Sequence, residues 1–166
     1  MSITNRKIAS QNWKKKFNNN LNNVIMQRSA TANWKGSGKE GKGMVTAQSG
    51  IFSNTPISYH TRFEEVKGTS PEELVAAAHA GCFSMKLSFV LGAAGFTPDN
   101  IDTKCTITLE NGTITESHLE VTASVPNISD DKFNECAEDA KLNCPISKLY
   151  KTNITMEARL AQKVNA

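Results

Sequence analysis

The sequence predicts one soluble globular domain that mixes strands and helices, on three observations. Its 166 residues are 39% apolar, enough to build a core. Short stretches of alternating polar and apolar residues stand on both sides of one long apolar run, Leu74 to Leu91. No stretch approaches the roughly 18 uninterrupted apolar residues that span a bilayer, and the N-terminus lacks an apolar secretory core. The expected setting is a reducing cytoplasm, with no membrane partner. There, Cys82, Cys105, Cys136 and Cys144 are poor material for a static disulfide framework, so chemistry becomes the more interesting use of at least two of them.

The chain opens on a basic, Asn-rich extension, residues 1–28. Residues 1–29 carry six cations and no acid, so the formal net charge of +3 leaves the rest of the chain at −3. A nucleic-acid reader would carry its positive charge on the folded domain, and that class is set aside. Trp13, Phe17, Leu21 and Val24 recur at near-helical spacing opposite Lys14, Lys15 and Lys16, the pattern of a docking or targeting helix. Asparagine is a weak helix former, so a dispensable extension is the expectation, with the domain proper at 29–166.

In the domain, alternation through Ala32 and Trp34, the Gly-rich segment Lys35 to Gly43, and the stretches Met44 to Ser49 and Ile57 to Phe63 predict a meander of about three strands. At Ser70-Pro71-Glu72-Glu73 the signal changes: Ser70 is a good N-cap, Pro71 fits the first helical position, and Glu73 completes a capping box. The helix that follows, to a stop at Gly95, is apolar on nearly every face. Such a helix is buried, at the centre of the domain or between two subunits. Its length of roughly 36 Å is long for so small a core, which leaves room for burial by a second subunit. Cys105, Ile107 and Leu109, then Leu119, Val121, Ala123 and Val125, alternate around Asn111-Gly112 and predict a hairpin. Ser129-Asp130-Asp131 opens a second helix to about Leu142, Pro145 starts a short third, and Ile154 to Leu160 alternate as a closing strand.

Four residues stand out. Cys82 lies about three turns into the apolar helix, where a small core residue is an equally good reading of its position. Cys144 sits beside a helix start in a Pro-bounded segment, expected to be mobile and open to solvent. A nucleophilic cysteine must be a thiolate, and in an apolar helix that needs a cation. Arg62, the only arginine between Arg28 and Arg159, ends the strand before the helix, and Glu72 in its first turn is placed to hold the guanidinium. Alone, Arg62 also reads as a solvated strand-end charge and Glu72 as an acid matched to the helix dipole. Cys105 and Cys136 read as core.

The segments Thr61-Arg62-Phe63-Glu64, Lys67-Gly68-Thr69-Ser70-Pro71-Glu72-Glu73-Leu74 and Ala77-Ala78-His79-Ala80-Gly81-Cys82-Phe83-Ser84-Met85 resemble the OsmC/Ohr family of thiol-dependent peroxidases, and Asn143-Cys144-Pro145-Ile146-Ser147 resembles its second cysteine motif. The resemblance runs from about Ala30 to Leu160, and the arginine's place in Thr-Arg-Phe-Glu is that of the OsmC branch. It implies an α+β, OsmC-like fold with antiparallel sheets around a long buried central helix, and an intertwined homodimer whose sites draw on both subunits. It also implies a thiol-dependent peroxidase for oxidative or osmotic stress defence. Cys82 matches the peroxidatic cysteine, Cys144 the resolving one, and Arg62 and Glu72 the pair that activates the thiolate. Cys82 would pass to a sulfenic acid, condense with Cys144 to a disulfide, and be regenerated by a lipoyl-type or small dithiol, with no cofactor and no metal. Phe83, Met85 and Phe89 suit an organic hydroperoxide better than hydrogen peroxide, and equally suit a core.

Competing classes remain. A cysteine hydrolase or acyltransferase would pair Cys82 with His79, three residues before it on the helix, although a packed core imidazole is the plainer reading of that histidine. A metal module would need closer ligand pairs than Cys136 and Cys144. A non-catalytic thiol protein would show four unreactive cysteines.

Overall fold

The computed structural model describes residues 25–64 and 66–161; most of the 1–28 extension, with its amphipathic pattern, lies outside them. Two three-stranded sheets carry the strands. In the first, β1 (Ala30–Lys35), β2 (Lys42–Ala47) and β3 (Thr55–Ser58) form an antiparallel meander in register Ala30 to Ala47 and Lys42 to Ser58. Every residue of β1 is exposed in the single protomer.

The strand expected to reach Phe63 ends at Ser58, and Tyr59–Phe63 form a short helix, α1. The cause is a capping box. Ser58 Oγ accepts the Thr61 N–H at 3.0 Å while Thr61 Oγ1 accepts the Ser58 N–H at 2.8 Å, turning the chain out of the sheet. Arg62 is therefore a helical residue. The loop that follows passes so close beneath that a Cβ on Gly68 would meet Thr61 Cγ2 at 2.5 Å and the Pro56 carbonyl at 2.8 Å.

The long helix α2 runs Pro71–Ala93, and Gly95 behind it takes φ +93°, a conformation that favours glycine. Ser70 Oγ caps it by accepting the Glu73 N–H at 3.1 Å. The Glu73 carboxylate does not close the expected capping box; it accepts the Thr69 hydroxyl at 2.7 Å. His79, Phe83, Leu87 and Leu91, each four residues on, form one fully buried stripe. Length and apolar content alone would let α2 cross a bilayer, but this stripe packs into the protein core. The opposite face is more open: Met85 is 65% exposed. Within one protomer the helix is thus buried on one side only.

β4 (Asn100–Glu110) and β5 (Thr113–Ser124) form the expected hairpin, with both turn residues, Asn111 and Gly112, at positive φ. Alternation along β5 sends Leu119, Val121 and Ala123 inward against α2 and α3 (Asp130–Asn143), where Phe133, Ala137 and Ala140 complete the core. After α4 (Pro145–Leu149) the chain returns as β6 (Asn153–Leu160), which pairs with β5 in parallel, Glu116 opposite Asn153. The second sheet is therefore mixed rather than antiparallel. Two helices between β5 and β6 make a crossover, which brings the last strand back in the same direction.

Candidate active site

Cys82 projects from the middle of α2, one residue from the buried stripe, and is only partly buried. Cys144 ends α3 and caps α4, its N–H on the Ala140 carbonyl at 2.8 Å and its own carbonyl accepting from Lys148 at 3.0 Å. Both thiols are free and lie within hydrogen-bonding reach of each other in one chain. Cys144 is not the open thiol expected beside Pro145. It is 0% exposed, because the short helix that Pro145 starts, itself expected, packs back on α2. Burial pushes the Cys82 thiol up from its ordinary pKa; the Ile146 backbone N–H on the sulfur opposes this, and the neighbouring Cys144 adds to it.

Arg62 and Glu72 form the expected pair. Arg62 Nε reaches both carboxylate oxygens at 3.1 Å and Nη2 reaches Oε1 at 2.5 Å. Hydrogen bonding to Arg62 holds the Glu72 carboxyl below the usual carboxylate range, although burial works against it. The pair stays near solvent, with side chains 37% and 15% exposed. It does not meet the thiols of its own chain. Glu72 precedes Cys82 by ten residues on the same helix, a rise of about 15 Å. Among the described residues, none of the groups that shift Cys82 is a cation.

His79, 0% exposed, is occupied at both ring nitrogens: Nδ1 lies 2.7 Å from Ser117 Oγ and Nε2 2.9 Å from Ser147 Oγ. No ring nitrogen is left to deprotonate Cys82, so the geometry gives a Cys82–His79 hydrolase no general base. Burial lowers the imidazole pKa and keeps it neutral. Tyr150 packs edge-on against it, centroids 5.1 Å apart, and donates its hydroxyl to the Val75 carbonyl at 3.0 Å. Cys105 stands beside this cluster, Sγ 3.3 Å from Ser117 Oγ, and Cys136 is buried in the core as expected. Ser117, Ser147 and Tyr150 were missed in the sequence. Ser117 had a signal, since it lies two residues before Leu119 on the same inward alternation of β5.

Two free thiols that meet where a short helix packs on the middle of a long one define a two-cysteine thiol protein on an α+β scaffold. A family model described as OsmC-like protein matches residues 64–159. Peroxiredoxin OsmC of Escherichia coli (strain K12) is 42% identical over 141 residues, covering 82% of this chain and 99% of the relative. The chain belongs to the OsmC family. Organic hydroperoxide resistance protein-like 1 of Staphylococcus saprophyticus is more distant, 30% identical over 99 residues that cover 57% of this chain and 70% of the relative. Solved structures share the fold: OhrB of Bacillus subtilis at a TM-score of 0.61 and 22% identity, covering 83% of this chain and 100% of that one. An OsmC-like protein from Mycoplasma pneumoniae aligns at 0.66 and 14% identity, covering 84% and 100%.

Proposed function

We propose that this protein is a thiol peroxidase that reduces organic hydroperoxides, and hydrogen peroxide less well, in defence against oxidative or osmotic stress. The observation that carries this is the contact between a partly exposed Cys82 and a buried Cys144 in one chain. The relatives named peroxiredoxin and organic hydroperoxide resistance protein point the same way. Cys82 thiolate attacks the distal peroxide oxygen, the O–O bond breaks, and the alkoxide leaves as the alcohol once protonated. Cys82 is left as a sulfenic acid. Cys144 then attacks its sulfur, the S–O bond breaks, and the expelled hydroxide leaves as water with the proton lost from Cys144. An external dithiol, of lipoyl or small-molecule type, restores both thiols by exchange. The four free cysteines suit a reducing cytoplasm.

The cation comes from a second copy. Burial and the neighbouring Cys144 raise the Cys82 pKa, the Glu72 that holds its own chain's Arg62 is about 15 Å along the helix, and one face of α2 with all of β1 is exposed. In an intertwined homodimer that covers this face, the partner's Arg62 and Glu72 stand beside Cys82. The test is dithiol-dependent consumption of cumene hydroperoxide and hydrogen peroxide at matched concentrations. Faster turnover of the organic substrate, with a Cys82–Cys144 disulfide in non-reduced peptides, is expected. Failure to consume either peroxide overturns the assignment.

A further inference from the structure

His79 departs from its own pattern. Phe83, Leu87 and Leu91 continue its stripe along α2 at four-residue intervals, and a fourth apolar residue would complete it without burying polar atoms. An imidazole stands there instead, fully buried, with a serine hydroxyl at each nitrogen. Those serines belong to different elements: Ser117 to β5 and Ser147 to α4. The Tyr150 ring just past α4 closes over the edge.

The spacing gives the arrangement a purpose. His79 and Cys82 are three apart on α2, and Cys144 and Ser147 are three apart across the start of α4. The two helices are thus joined twice at neighbouring turns, by the thiols at one rung and by the 2.9 Å His79 Nε2 to Ser147 Oγ bond at the other. α4 has only five residues and a cap without a side-chain hydrogen bond, so its own backbone does little to hold it. Fixing Ser147 fixes Cys144.

We infer that His79 is a positioning residue for disulfide closure: through Ser147 it holds the Cys144 helix against the Cys82 helix, while reduction of the hydroperoxide proceeds without it. The inference rests on the peroxidase reading above. Forming the S–S bond requires the sulfurs to close to about 2.05 Å with a defined dihedral, which a swinging α4 would seldom offer. A sulfenic acid that waits meets a second peroxide and becomes a sulfinic acid, with the second peroxide reduced to its alcohol. The His79–Ser147 bond therefore sets the competition between resolution and over-oxidation.

The experiment uses the full chain, reduced, mixed with one equivalent of cumene hydroperoxide, acid-quenched over time and read by mass spectrometry. Sulfenic acid formation and disulfide formation are timed separately. Ser147→Ala removes one oxygen; His79→Asn keeps an amide only at the Nδ1 position, towards Ser117; His79→Gln places one at the Nε2 position, towards Ser147. Ser147→Ala and His79→Asn should each slow closure about tenfold and raise the sulfinic yield in excess peroxide, with the first step within about twofold of wild type. His79→Gln should recover most of the loss. The His79→Asn, Ser147→Ala double variant should be no slower than either single by more than about twofold, since one bond is lost in all three. Closure at the wild-type rate in Ser147→Ala, or equal slowing of both steps, overturns the inference. Should His79→Asn fail to fold, Ser147→Ala carries the test alone. If wild-type protein forms no Cys82–Cys144 disulfide, the peroxidase reading itself has failed, before any variant is compared.

Discussion

Arg62→Ala separates activation within a chain from activation across a dimer, because the two differ by more than tenfold in size. Glu72, which holds the guanidinium, stands about 15 Å along α2 from Cys82, so that rise is the scale of the separation. Two unit charges at that distance in water interact by about 0.3 kcal/mol, and a Debye length of about 8 Å at physiological salt cuts this several-fold. Acting within its own chain, Arg62 would move the Cys82 pKa by less than about 0.1. The partner's Arg62, in contact with the sulfur, would lower it by about 1 to 3. Iodoacetamide alkylation of Cys82 across a pH series reads the difference. Thiolate is the reactive form, so the wild-type profile should lie below the free-thiol value of about 8.5, and the mutant profile should move to higher pH. Heterodimers give the geometry directly. When an Arg62→Ala subunit pairs with a Cys82→Ser subunit, the one remaining Cys82 faces an intact partner's Arg62, and about half the wild-type activity should return. Recovery of none, or an Arg62→Ala profile within about 0.2 of wild type, refutes the shared site.

Three further outcomes are expected. Cys82→Ser should abolish even the first turnover, whereas Cys144→Ser should react once and leave a dimedone-trappable sulfenic acid; a disulfide mapped to Cys105 or Cys136 would show the roles to be wrong. Tyr150 is pushed up to about 12, first by burial and then by the thiols around it, against about 10 in an unfolded chain. Its folded value is the higher, so its share of stability is whole below about pH 10 and lost as pH rises through about 12. Ultraviolet titration should show one late tyrosinate step that vanishes in Tyr150→Phe; complete ionisation of the wild type by about pH 11 would contradict it. Leu87→Ala, at a fully buried site, should cost about 2–5 kcal/mol in urea unfolding, while Met85→Glu on the exposed face should break the proposed dimer in sedimentation. A dimer that survives Met85→Glu would place the interface elsewhere.

The elements that local chemistry dictates were legible. Ser70 and Pro71 start α2 and Gly95 stops it where the sequence says, and Asn111-Gly112 turns the hairpin. What failed depends on partners distant in sequence or on reciprocal bonds. Tyr59 to Phe63 alternates like a strand, and only the paired Ser58 and Thr61 bonds make it helical. Alternation marks β6 as a strand but carries no direction, so its parallel pairing was hidden. Cys144 looked exposed because it stands at the joint between two helices; the burial comes from α2, about sixty residues away. Arg62 and Glu72 were brought together as expected, yet the distance of Glu72 from Cys82 along the helix was already implicit in their ten-position spacing. Ser147 had no local signature, since a serine on a short helix ordinarily faces water.

The parallel pairing of β6 bears on how the protein comes into being. Cys144 lies in the crossover between β5 and β6, so the chain reaches it only after α2, the hairpin and α3 have been synthesised. The crossover is closed at its far end only when Asn153–Leu160 slots beside β5, a pairing of residues far apart in sequence whose loop-closure cost must be met before any reward. A nascent chain on the ribosome therefore carries Cys82 before it has a docked second thiol. In that interval Cys82 has neither its second thiol nor, if the site is shared, the cation that makes it reactive. The last strand thus completes the chemistry together with the fold.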